Sequence, residues 1–145
     1  MTEKQLHMEQ SIRAFIEKSN TELTDTIIGM LRPSFVECSA EEGSLILAYP
    51  AMAWERNPLN VMQGGVVATI LDFSIACLAV YYGSDKAVTV SLQTSYLRGC
   101  PIDGTLIVKT KITKAGKTMI HAYAECWEEK TPTKTVATCV GVYHA

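Results

Sequence analysis

Between Val66 and Val80 the chain reads Val-Val-Ala-Thr-Ile-Leu-Asp-Phe-Ser-Ile-Ala-Cys-Leu-Ala-Val, fifteen residues in which Asp72 is the one charged group. The run is too long for an ordinary strand and too short for a membrane span. On a helix, at about 100° per residue, the face centred on Asp72 carries Gly65, Ala68, Thr69, Ala76 and Ala79, with Ile75 at its edge. Val66, Val67, Ile70, Leu71, Phe73, Cys77 and Leu78 fall on the opposite face. A helix apolar nearly all round has to be buried nearly all round. Its bulky side fills a core, and its small side lets another backbone or a ligand approach the carboxylate. Burying a carboxylate without partners is costly. Asp72 is therefore the first candidate for chemistry, against the alternative of a structural acid bonded to backbone or to a partner chain.

The residues ahead of the helix sharpen that choice. Gln63-Gly64-Gly65 is a poor way to begin a helix unless backbone amides are needed there. Pro50 and Pro58 bracket a loop holding Trp54, Glu55, Arg56 and Asn57 that leads into it. Met52, Trp54, Met62 and Phe73 are candidates to line an apolar pocket.

The rest of the chain reads as strands around this helix. Ser34 to Ser39 and Ser44 to Tyr49 flank Ala40-Glu41-Glu42-Gly43, a turn with a well-placed glycine. From Val88 to Tyr96, Val88, Val90, Leu92, Thr94 and Tyr96 alternate strictly with Thr89, Ser91, Gln93 and Ser95, which predicts one packed face and one more polar face. Three further strands are expected, at Thr105 to Thr113, Thr118 to Glu128 and about Thr135 to Tyr143. Apolar residues at helical spacing from Leu6 to Ile28 predict an N-terminal helical region interrupted near Ser19-Asn20-Thr21. The expected fold is α+β: a long buried helix wrapped by a curved antiparallel sheet of about six strands. Residues 1–145 form one domain on this reading, with a helical extension over 1–30 and a core over 34–145. One sheet covers only part of such a helix, so the small face around Asp72 predicts a partner subunit.

Composition narrows the function classes. A hydrophobic content of 48% and a formal charge of −2 argue against disorder and against nucleic-acid binding by bulk electrostatics. The five cysteines are scattered and odd in number, and Met1 to Asn20 reads as a polar amphipathic helix rather than a signal peptide; both predict a cytoplasmic protein with reduced thiols and no membrane anchor. The three histidines, His7, His121 and His144, lack metal-ligand spacing, so no metal is expected.

Asn57, Gln63-Gly64-Gly65 and Asp72, in that order and at that spacing, resemble the signature of the PaaI-like acyl-CoA thioesterases of the hotdog-fold superfamily. That family shows Asn, a short loop, His-Gly-Gly, and an acid on the helix nine residues after the His. Ala87-Val88-Thr89-Val90-Ser91-Leu92 and the turn Lys114-Ala115-Gly116-Lys117 are also similar to family segments. Gln63 stands where the family usually has His; it can donate and accept hydrogen bonds but cannot carry a proton near neutral pH.

The resemblance implies a cofactor-free acyl-CoA thioesterase that cleaves an acyl- or aryl-acyl-CoA. In it Asp72 serves as general base or nucleophile, and the Gly64 amide as oxyanion donor. It further implies that Asn57 and Gln63 position the reacting groups, and that Thr89 lies near the acid. For Asn57 the competing reading is a turn cap, and for Thr89 an ordinary strand residue. Gly65, Lys114, Gly116 and Lys117 become candidates for binding the coenzyme, the lysines equally reading as solvated turn charges. Its implied assembly is a homodimer, paired into a tetramer, with the site at the subunit interface. The alternative from another class is a non-catalytic hotdog module that binds acyl-CoA, which Gln63 keeps open. A hydratase on the same fold usually needs a site His paired with an acid, and no His occurs between His7 and His121.

Overall fold

The computed structural model describes all residues, 1–145. Helix α1 (Glu3–Thr21) opens on Thr2, whose side chain accepts from the Gln5 N–H at 3.1 Å. Its apolar stripe buries Met8, Ile12 and Ile16 in the same core as the rest of the chain. The break expected at Ser19–Thr21 comes later. Ser19 Oγ donates to the Phe15 carbonyl at 3.0 Å and Thr21 Oγ1 to that of Glu17 at 2.8 Å, so both hydroxyls are satisfied inside the helix and need not end it. A short helix α2 (Ile27–Leu31), capped by Thr26, follows.

The six strands are β1 (Ser34–Ser39), β2 (Ser44–Pro50), β3 (Val88–Tyr96), β4 (Thr105–Ala115), β5 (Met119–Glu128) and β6 (Thr135–His144). They form one antiparallel sheet in the order β1-β2-β4-β5-β6-β3. Gly43 turns β1 into β2 at a φ of +66°, which a side chain would disfavour. The long helix α3 (Gly64–Tyr82) lies across the sheet and touches every strand from β2 to β6. Ile70, Leu71 and Leu78 of α3 meet Leu45, Leu47, Leu106, Val108 and Ile120 in a continuous core. Each such side chain, fully buried, contributes on the order of 2 kcal/mol.

At 19 residues α3 extends past the apolar run on both sides, and by length and composition it would suffice to cross a membrane. The sheet wrapped along its bulky face makes it a core helix instead. The small face is shorter than the helical projection predicts. Gly65, Ala68, Thr69, Asp72 and Ala76 keep some exposure, whereas Ile75 and Ala79 are completely buried. Met62 and Phe73 are core residues too, so of the four proposed pocket residues only Met52 and Trp54 line an open groove, with Met30 and Arg32.

Strand β3 departs from strict alternation for a definite reason. Its pairing with β6 shifts between Thr89 and Ser91, a bulge that adds one residue at Val90. The bulge reverses the parity, so Thr89 faces α3 together with Leu92, Thr94 and Tyr96. Val88 and Val90, expected on a packed face, are 60% and 53% exposed. With β3 at the edge of the sheet, one side of its backbone carries no strand partner.

Candidate active site

Asp72 stands halfway along α3, half-buried, over the start of β3 and the end of β6. Thr89 Oγ1 donates to its Oδ1 at 2.7 Å. Tyr143 Oη donates to the same Oδ1 and also to the Asp72 carbonyl, the latter at 2.9 Å. Oδ2 accepts no hydrogen bond within the chain, and no cation lies within ion-pair distance of either oxygen. The carboxylate is thus pinned through one oxygen by two neutral hydroxyls and free through the other.

The second element is the start of α3. No side chain caps it, and the Gly64 and Gly65 N–H groups find no partner in the chain. These are the unpaired amides at the positive end of the helix dipole that suit a developing oxyanion. Tyr96 Oη donates to the Gly64 carbonyl at 2.6 Å, anchoring the helix start to the end of β3. The preceding loop holds it from the other side: the Gln63 N–H donates to Glu55 O at 2.7 Å and that of Met62 to Cys100 O at 2.9 Å. Glu55 is itself buried, with Oε1 on the Met52 N–H.

The other sequence candidates fall into two groups. Gln63 is exposed beside the free amides and its side chain makes no hydrogen bond within the chain. Asn57 Oδ1 accepts from the N–H groups of Leu59 (2.9 Å) and Val61 (3.2 Å), the turn-capping use, which leaves its amide group free. Lys114, Gly116 and Lys117 are exposed at the β4–β5 turn, with β4 running on to Ala115. Ala115, Ile120, Tyr143 and Thr89 form one cross-strand row, so this turn sits at the same end of the sheet as Thr89. Three strand spacings separate the two, about 14 Å. The lysines therefore do not touch Asp72.

Two residues that touch the candidate site, Tyr143 and Tyr96, were not singled out from the sequence. Each sits at a strand end in an alternating pattern, and nothing in one sequence separates such a tyrosine from a core aromatic. Cysteine chemistry is disfavoured, because burial holds all five thiols above their ordinary range, with Cys100 at about 11 and Cys126 at about 12.

The sequence model of the thioesterase superfamily matches residues 59–135, which is more than half of the chain and includes Gln63 to Asp72, Thr89 and the β4–β5 turn. The chain belongs to the thioesterase superfamily. Membership makes it a thioester hydrolase by class, and the solved structures it resembles carry the same fold. The Escherichia coli PaaI protein from the phenylacetic acid degradation operon is 20% identical, with 97% of this chain and 94% of that one covered at a TM-score of 0.80. Mouse thioesterase superfamily member 2 is 23% identical, with coverage of 94% and 96% and a TM-score of 0.75. A Streptococcus mutans protein solved bound to acetyl-CoA is 21% identical over 77% of this chain and 87% of that one, with a TM-score of 0.67. At these identities the likeness is one of fold. No curated protein matches the sequence.

In this superfamily member no cavity is lined by Asp72 or Gly64. Within α3 the two are eight residues apart, an axial rise of about 12 Å. A single chain therefore presents an acid and an amide pair too far apart to act on one carbonyl.

Proposed function

We propose that this thioesterase hydrolyses an acyl- or aryl-acyl-CoA to the free acid and CoA at a site completed by a second copy of the chain. The observation that carries the reading is the pairing of a carboxylate with one free oxygen and a helix start with two free amides, on the same uncovered side of α3. A two-fold dimer that sets the two α3 helices antiparallel brings the helix start of one copy to the acid of the other. The exposed Val88 and Val90 and the unpaired edge of β3 support that contact.

The thioester carbonyl oxygen then accepts from the Gly64 N–H, and Asp72 of the other copy acts at the carbonyl carbon. As general base, Oδ2 takes a proton from water as the water oxygen bonds to that carbon; collapse of the tetrahedral intermediate expels the CoA thiolate, which recovers the proton. As nucleophile, Oδ2 forms a mixed anhydride with loss of the thiolate, and water then cleaves the anhydride. Thr89 holds Oδ1 in either case. The free amide of Asn57 and the Gln63 side chain position the carbonyl or the water, and Gly65, Lys114, Gly116 and Lys117 contact the coenzyme. The S. mutans neighbour, bound to acetyl-CoA, supports the choice of coenzyme.

Free-thiol release from a panel of acyl- and aryl-acyl-CoAs tests the reaction. Turnover of at least one is expected, and binding without turnover would favour a carrier. Sedimentation tests the assembly: a dimer, or a tetramer built from two dimers, is expected at micromolar concentration. A stable monomer that is fully active would contradict the shared site.

A further inference from the structure

The two hydroxyls under Asp72 come from one cross-strand pair. Thr89 and Tyr143 are register partners on β3 and β6, so their side chains leave the sheet on the same side, beneath α3. Thr89 is exposed. Tyr143 is only 1% exposed, and its hydroxyl has no partner except Asp72. The phenol ring is locked sideways: a Cβ added at Gly141 would come within 3.1 Å of Tyr143 Cε1 and 3.0 Å of Ile75 Cδ1. A glycine there leaves just the room the ring occupies.

We propose that Tyr143 is a positioning residue for thioester hydrolysis, donating to Asp72 Oδ1 from below so that Oδ2 is the oxygen that acts. The proposal rests on the reading of Asp72 as the reacting carboxylate. Tyr143 lies too deep to touch substrate, and its single proton is shared between Oδ1 and the Asp72 carbonyl, which keeps the hydroxyl against the turn of α3 that bears the acid. Burial, and then the Asp72 carboxylate itself, push the phenol far above its ordinary range, so it remains a donor throughout the working pH. The titratable groups facing Asp72 are Tyr143 and Cys139, both on β6, while β3 supplies only Thr89. With no cation in the site, the two hydroxyls are the only side-chain donors to the carboxylate within the chain.

In Tyr143→Phe the ring packing is kept and the donor removed. Plateau kcat should fall about tenfold, the scale of one hydrogen bond to a charged group. KM should stay within about twofold. A folded Phe variant with wild-type kcat overturns the proposal. Fluorotyrosine at position 143 keeps both the ring and the donor, so kcat should stay within about twofold of wild type. A loss as large as that of the Phe variant would assign the effect to packing and overturn the proposal. Failure of the Asp72 reading is distinguishable, because Asp72→Asn would then keep full turnover whatever Tyr143 does.

Discussion

Asp72→Asn should yield a folded, assembled protein whose turnover of acyl-CoA is lower by a factor on the order of a hundred or more, the loss expected when a positioned acid–base group is removed. The Asn carbonyl oxygen can still accept from Thr89 and Tyr143, so the hydroxyl cradle survives the substitution. What disappears is the basic, nucleophilic Oδ2, replaced by an amide that neither takes a proton nor attacks a thioester. Melting temperature should hold or rise, because a half-buried charge is exchanged for its neutral isostere. Ligand affinity should persist, since the coenzyme contacts proposed at Gly65, Lys114, Gly116 and Lys117 are elsewhere. Thermal melts and thiol-release rates on one preparation separate the alternatives. A structural Asp72 predicts a weakened fold with full activity in the folded fraction.

Gly64→Val should abolish turnover by a different route. The amide remains, but a branched side chain now stands where the thioester oxygen approaches. Loss of one oxyanion donor typically costs about a hundredfold or more in kcat. A Cβ at Gly64 has the Tyr96 ring as its nearest neighbour, at 3.4 Å, an ordinary contact. The Gly64 carbonyl keeps its bond from Tyr96, so the helix start stays in place. Sedimentation should show the wild-type assembly, and thiol release should show none above background. Near-normal activity would make Gly64 a packing glycine only.

Much of this was legible in the sequence because strong local patterns met no opposition. The apolar run, the Gly43 turn and the spans expected for β5 and β6 each agreed with the tertiary structure that formed. The departures have physical causes that one sequence does not display. The bulge at Val90 depends on pairing with β6, so the parity that turns Thr89 toward Asp72 is a property of two strands, not one. Ser19 and Thr21 look like helix breakers until their hydroxyls find carbonyls one turn back. Ala79 lies on the small face by projection, yet the sheet reaches far enough to bury it. At the candidate site, Asp72 and Gly64 stood out because a lone acid in an apolar helix and a glycine pair at a helix start are unusual, whereas Asn57 was singled out by the family resemblance alone and caps a turn. Tyr143 and Tyr96 were not singled out, since tyrosine at a strand end is ordinary and their significance is the atom each hydroxyl reaches.

The shared site is tested most directly by mixing two inactive proteins. Asp72→Asn and Gly64→Val homodimers are combined under conditions that exchange subunits, with heterodimer formation followed by native mass spectrometry. In a heterodimer one site pairs an intact Gly64 with an intact Asp72, and the other site carries both lesions. Free exchange makes about half of the dimers mixed, each with one working site of two, so thiol release should return to about a quarter of the wild-type rate. If heterodimers form and activity stays at the level of the separate variants, the acid and the amide do not act across two subunits, and the shared-site mechanism is wrong.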